Sequence, residues 1–200
     1  MREGRQRGAR VSCEVTPHHL LLTDEAVRGF DAASHKMNPP LRPESDREAL
    51  IEGLHDGTID CIASDHAPHP AEEKEREWDL APCGVIGLET TLPVLYTGLV
   101  EPGLLALPRL IELLTIGPVR CLGLDHPSQL PASPGTLARG GVADVTVFDT
   151  RESFIVGAPR FFSRSANSPF RGQRARGRVA WTIVGGHIAY DRERDEPPSG

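Results

Sequence analysis

The sequence predicts an α/β chain made of strand–loop–helix units up to about residue 124, with a β-rich portion from 125 to 200. Three observations carry that expectation. Short β-branched runs end in polar or Pro-containing loops and lead into helical patterns, which is the rhythm of βα units. After Leu124 the chain becomes Pro- and Gly-rich (125–141), then shows two β-type segments and a hairpin signal. With 20 Gly and 18 Pro in 200 residues, the punctuation suits short elements and functional loops better than a helical bundle.

The elements follow in order. Residues 2–9 are polar and read as the end of a helix. Residues 11–15 form a short buried strand closed by Thr16-Pro17, and 20–30 hold a short helix. HKMNPPLRP (35–43) is a loop, because adjacent prolines forbid regular structure. A clean helix spans 45–55. Ser45 caps it, Asp46 and Glu48 sit in its first turn, and Leu50, Ile51 and Leu54 share one face. Gly57 stops it. IDCIAS (59–64) reads as a buried strand that ends in Asp65-His66-Ala67-Pro68-His69. Residues 70–79 are charged and mobile-looking. Residues 88–99 and 107–115 are helical, and Pro118 starts another helical turn. Residues 144–148 and 179–184 are strands. The second turns at Gly185-Gly186 and returns through 187–190. The last ten residues read as frayed.

Charge and composition exclude several classes. Twenty-two Lys and Arg against 28 Asp and Glu leave a net charge of −6, which argues against a general nucleic-acid binder. No apolar run approaches the ~20 residues of a membrane span. The opening MREGRQRGARVSC has arginines but no apolar core, so it does not read as a secretory signal. Cys13, Cys61, Cys83 and Cys121 form no CxxC pair, which fits a reduced cytosolic protein with semi-buried thiols better than a disulfide framework or zinc knuckle.

The strongest chemical feature is SDHAPH (64–69), an acid and two imidazoles just past a buried strand. In βα architectures that edge carries the site, because its loops vary over a rigid sheet. A carboxylate there, Asp65, can ligate a metal or move a proton at the attacking water. His69 can donate to an anionic substrate. The plainer alternative makes Asp65 a turn cap and the histidines surface groups. Thr16-Pro17-His18-His19 follows a strand too, but neighbouring side chains there diverge, so the pair reads as structural. Asn38, in a rigid loop between cations, can read a polar group or simply close the loop. The run 83–89 is Gly-punctuated and opens a helix, whose amides could meet a carboxylate. Arg164, Arg171, Arg174, Arg176 and Arg178 read as a solvated or interface face.

Six motifs in order, VSCEVTPHHLLLTDE (11–25), KMNPPLR (36–42), DCIASDHAPH (60–69), GVIGLET (84–90), ADVTVFD (143–149) and SRSANSPFRG (163–172), resemble the carboxy-terminal half of the bacterial class I dihydroorotases of the amidohydrolase superfamily. The resemblance implies the carboxy-terminal part of a (β/α)8 TIM-type barrel (1–124) plus part of a small β-sandwich domain (125–200). It implies reversible, zinc-dependent cyclisation of N-carbamoyl-L-aspartate to L-dihydroorotate in pyrimidine synthesis. Asp65 matches the metal-binding, proton-shuttling aspartate. Asn38 and His69 match substrate contacts, and Cys83-Gly84 fall where backbone groups touch the ring. Many relatives carry an aromatic residue or Pro at the place of Cys83. His18 and His19 match retained positions that are not main zinc ligands, and Glu14 falls where some relatives bind an additional metal.

The family's HxH pair, bridging carboxylate and further histidine ligands have no counterpart in these 200 residues. The chain is also shorter than the ~250 residues of such a barrel. The expectation is therefore a carboxy-terminal portion, from a truncated or mis-started reading frame, inactive by itself. The resemblance leaves open aspartate transcarbamoylase as a partner and a homodimer. It also leaves open two rival functions: a non-catalytic subunit that scaffolds the transcarbamoylase, and another cyclic-amide hydrolase such as a hydantoinase or allantoinase.

Overall fold

The computed structural model describes residues 1–29, 32–126, 134–158 and 160–195. Helices α1 (Arg2–Gln6), α2 (Pro17–Leu21), α3 (Ala32–His35), α4 (Glu44–His55), α5 (Ala71–Lys74), α6 (Thr91–Leu95), α7 (Leu107–Leu114) and α8 (Ile116–Cys121) surround two short strands, β1 (Glu14–Val15) and β2 (Cys61–Ile62). A 3-10 turn covers Asp24–Val27, and a π turn, Tyr96–Val100, continues α6. Strands β3 (Val145–Ile155), β4 (Arg174–Val184) and β5 (His187–Asp191) follow, then α9 (Arg192–Asp195). The order is that of the α/β chain expected, with helix-rich units first and a β-rich portion after them.

β1 and β2 run parallel, with Glu14 opposite Cys61 and Val15 opposite Ile62. This places the loops after both strands at one edge, where both sequence motifs lie. β3, β4 and β5 form an antiparallel sheet in that order. Gly185 (φ 57°) and Gly186 (φ 81°) make the tight turn between β4 and β5, a conformation that favours glycine at both positions. The expected hairpin is therefore present.

The core joins both portions. Leu20 of α2, Leu54 of α4, Leu95 of α6, Leu99 in the π turn, and Leu110 and Leu113 of α7 are fully buried. Val156, Phe170 and Ala175 from the β-rich portion belong to the same cluster. Each such leucine supplies about 2–5 kcal/mol against truncation to Ala. Among the described residues no helix is long and apolar enough to cross a membrane.

Several expectations are corrected. Both parallel strands are shorter than the apolar runs that announced them, because the ladder between them is two residues long. Helix α4 starts at Glu44 with Pro43 at its N-cap, so Ser45 lies inside the helix and does not cap it. The first helix after β1 covers Pro17–Leu21, with Thr16 at the cap position and its hydroxyl accepting the His19 N–H, and the expected 20–30 stretch holds a 3-10 turn, Asp24–Val27, residue 30 lying outside the described residues. The charged stretch 70–79 contains a helix whose Lys74 is buried, so it is packed into the fold. α9 stands where fraying was expected, and the rest of that stretch, 196–200, lies outside the described residues, as does 127–133 of the Pro- and Gly-rich stretch.

Candidate active site

Asp65 stands three residues past β2 with φ 48°, the left-handed region that non-glycine residues seldom occupy. Its side chain is 42% exposed and accepts no hydrogen bond among the described residues. A carboxylate at a strand end that caps nothing and accepts no hydrogen bond among the described residues is available for a ligand, which disfavours the turn-cap alternative. Among the described residues the ionisable group within 4 Å of it is His18, whose Nε2 lies 3.7 Å from Asp65 Oδ2. His18 is 2% exposed, and its Nε2 has no hydrogen-bond partner among the described residues. Burial, with a smaller contribution from His19, pushes the imidazole down to about 3. His18 is thus a neutral ring beside the carboxylate, and the contact is no salt bridge at neutral pH.

The paired histidines do not point opposite ways as expected of a strand exit: both lie in α2, and their ring centroids are 4.5 Å apart. His19 Nδ1 accepts from the Thr16 hydroxyl at 2.6 Å, and its Nε2–H donates to the Pro39 carbonyl at 3.0 Å. That bond ties the loop carrying Asn38 to the β1 exit. Met37 and Leu41 bury beside Val85 in a separate small cluster that seats the same loop. Asn38 itself is exposed, and its amide makes no hydrogen bond among the described residues. Glu14 is exposed at the start of β1.

His69, Cys83 and Gly84 come together. His69 Nε2–H donates to the Cys83 carbonyl at 3.0 Å. Gly84 has φ 126°, and a Cβ there would lie 2.6 Å from Ala67 Cβ and 3.2 Å from His69 Nε2, so only glycine fits. Its N–H donates to the Lys36 carbonyl at 2.9 Å. Its carbonyl accepts from Lys74 Nζ at 2.9 Å and Asn167 Nδ2 at 3.0 Å. Gly84 therefore shapes the wall, while its own polar groups are already bonded. The adjacent Cys83 N–H makes no hydrogen bond among the described residues. Cys83 is exposed, contrary to the expectation of semi-buried thiols, whereas Cys61 is buried.

The expected anion site at the Gly-rich helix start is also corrected. The Gly87 and Leu88 N–H groups both donate to His66 Nδ1, at 3.1 and 3.3 Å. These bonds put the proton of neutral His66 on Nε2 and make the ring a brace between the β2 exit and α6. Two contributors escaped sequence reasoning. Asn167 holds the Gly84 carbonyl, while its own carbonyl accepts the Ile86 N–H at 2.9 Å. Glu89 accepts the Phe162 and Ser163 N–H groups, each at 2.9 Å. Together they bring the SANSPF segment of the β-rich portion against the site; the motif itself was the available signal. Two members of the basic cluster are engaged in ion pairs, Arg176 with Glu101 at 3.0 Å and Arg178 with Glu152 at 2.9 Å.

Among the described residues no three His, Cys, Asp or Glu side chains converge to hold a metal ion. Asp65 fits one oxygen ligand: it is exposed, at a strand end, and free of protein hydrogen bonds.

A parallel strand pair with such a carboxylate at its carboxyl end, walled by three loops, is the layout of an α/β protein whose ligand site lies at the strand ends. The model of the amidohydrolase family matches residues 6–189, and the chain belongs to that family. It is 48% identical over 195 residues to a dihydroorotase of Geobacillus sp. (strain WCH70), covering 98% of this chain and 44% of that protein. It is 46% identical over 194 residues to a dihydroorotase of Bacillus subtilis (strain 168), covering 97% and 43%. Among solved structures, an L-hydantoinase (dihydropyrimidinase) from Arthrobacter aurescens superposes with a TM-score of 0.84 at 33% identity, over 94% of this chain and 41% of the hydantoinase. The chain thus spans less than half the length of the relatives it matches.

Proposed function

We propose that these 200 residues are the carboxy-terminal part of a dihydroorotase, an enzyme that reversibly cyclises N-carbamoyl-L-aspartate to L-dihydroorotate. Residues 1–124 are its last βα units, part of a (β/α)8 barrel. Residues 125–200 belong to a small β-sandwich domain beside it. The observation that carries the reading is Asp65, an uncommitted carboxylate at the strand end, faced by a buried neutral imidazole. The identity to dihydroorotases over nearly the whole chain supports it.

Each side chain then has a task. Asp65 takes the proton of the attacking water and delivers it to the ring nitrogen as the amide bond breaks, and runs the transfer backwards in cyclisation. Asn38 holds the substrate carboxylate, joined by His69 when its N–H exchanges the Cys83 carbonyl for the substrate, which fixes the ring against Asp65. The Cys83 N–H meets a polar group of the ring, and Gly84, packed against Ala67 and His69, shapes the wall beside it. Asp65 would be one ligand of a zinc ion, which when bound would supply Lewis acidity and an activated water. A catalytic zinc needs three protein ligands. The remaining ones are proposed to come from a part of the protein outside these 200 residues. The chain alone is accordingly predicted to bind no stoichiometric zinc and to show no turnover, measured by atomic absorption and by carbamoyl-aspartate cyclisation.

A second reading, opening of hydantoin-type rings, is consistent with the superposition on the L-hydantoinase, which does not favour it over the first. One experiment separates the two. These 200 residues replace the aligned segment of the Bacillus subtilis dihydroorotase, and the zinc-loaded chimera is offered dihydroorotate, hydantoin and allantoin. Preference for dihydroorotate supports the first reading. Preference for hydantoin or allantoin by a folded, zinc-loaded chimera overturns it.

A further inference from the structure

The segment 78–84, which walls the site, lies outside helix and strand, yet its carbonyls are gathered by side-chain nitrogens. Lys36 Nζ donates to the Trp78 carbonyl, to that of Ala81 at 2.7 Å and to that of Asp79 at 3.4 Å. Lys74 Nζ donates to the carbonyls of Gly84 at 2.9 Å, Pro82 at 3.0 Å and Lys36 at 3.3 Å. His69 takes the Cys83 carbonyl. Every residue from 78 to 84 except Leu80 thus presents its carbonyl to Lys36, Lys74 or His69. Lys74 is only 1% exposed, and an ammonium so buried needs this much compensation.

The geometry of one peptide unit gives the arrangement a consequence. The Pro82 carbonyl and the Cys83 N–H belong to the same trans peptide plane, in which they point in opposite directions. Lys74 holds the carbonyl end, so the N–H end faces away from the lysine. That N–H makes no hydrogen bond among the described residues and lies on an exposed residue. We propose that Lys74 is a positioning residue: by holding the Pro82 and Gly84 carbonyls it aims the Cys83 N–H at the bound substrate. Lys36 completes the clamp on the preceding residues. This rests on the proposed role of Cys83 in contacting the ring.

The test has two arms. Residue-resolved amide exchange of the full chain compares wild type with Lys74→Met. The Gly84 N–H, bonded to the Lys36 carbonyl, should exchange about tenfold faster or more, while core amides such as Leu54 and Leu99 change less than about twofold. If Lys74→Met does not fold, Lys74→Gln, with a donor at shorter reach, carries the same comparison. Equal acceleration of Gly84 and the core, or none at Gly84, overturns the proposal. This arm needs no substrate, so it reads Lys74 even if the chimera fails to process dihydroorotate. In the zinc-loaded chimera, the same substitution should raise KM for L-dihydroorotate about tenfold and leave kcat within about twofold, as for a contact made equally in ground and transition states. An unchanged KM with kcat lowered in step with the folded fraction overturns it too.

Discussion

His18 and Asp65 show how much a single neighbour sets at the scale of the residue. The imidazole is buried, neutral and 3.7 Å from the carboxylate, and burial holds it at about 3 against an ordinary 6.5. Between those values the unfolded chain binds a proton at this position and the folded chain does not. Stability therefore falls as pH drops from about 6.5 toward 3, with a slope of up to about 1.4 kcal/mol per pH unit from this group. Urea unfolding at pH 7 and pH 5 should show a larger loss for wild type than for His18→Leu; parallel losses would contradict the burial argument. The site residues were unequally legible. Asp65, His69, Cys83 and Gly84 sit in contiguous motifs whose chemistry or resemblance is readable. Lys74, Asn167 and His66 act on backbone atoms 8 to 83 positions away, and although His66 and Asn167 lie in motifs, nothing local in the sequence marks which backbone atoms they hold.

Among the elements, the start of α6 is pressed against the exit of β2. A Cβ on Gly87 would lie 2.2 Å from the Ser64 carbonyl oxygen, a backbone atom that cannot move aside without shifting Asp65. Gly87→Ala should cost about 3 kcal/mol or more. Gly103→Ala, with φ 79° and nothing within 4 Å, should cost only about 1–2 kcal/mol. Thermal or urea unfolding of the two variants checks the contrast, and equal losses would contradict it. Element type was readable where the period was clear, as in α4 and the β4–β5 hairpin. Extent was not. β3 and β4 reach beyond their apolar runs because polar and charged side chains line the added length, Arg174 bonding Ser153 and Arg178 pairing with Glu152. Alternation of apolar residues cannot report such rungs.

For the whole molecule, the β-rich portion reaches into the site through Asn167, and both portions share one buried cluster. The family, the order of elements and the place of the acidic residue were all legible from six motifs in sequence order. What those motifs could not convey is the wall between them, because it is built from carbonyls, and carbonyls have no sequence signature. The account stands or falls on Asp65 as the group that moves the proton. The most direct measurement is N-carbamoyl-L-aspartate cyclisation by the Bacillus subtilis chimera, wild type against Asp65→Ala, at equal folded protein and with zinc content recorded. The account predicts a rate lower by about 100-fold or more for the variant; a variant that cyclises at a rate near wild type would contradict it.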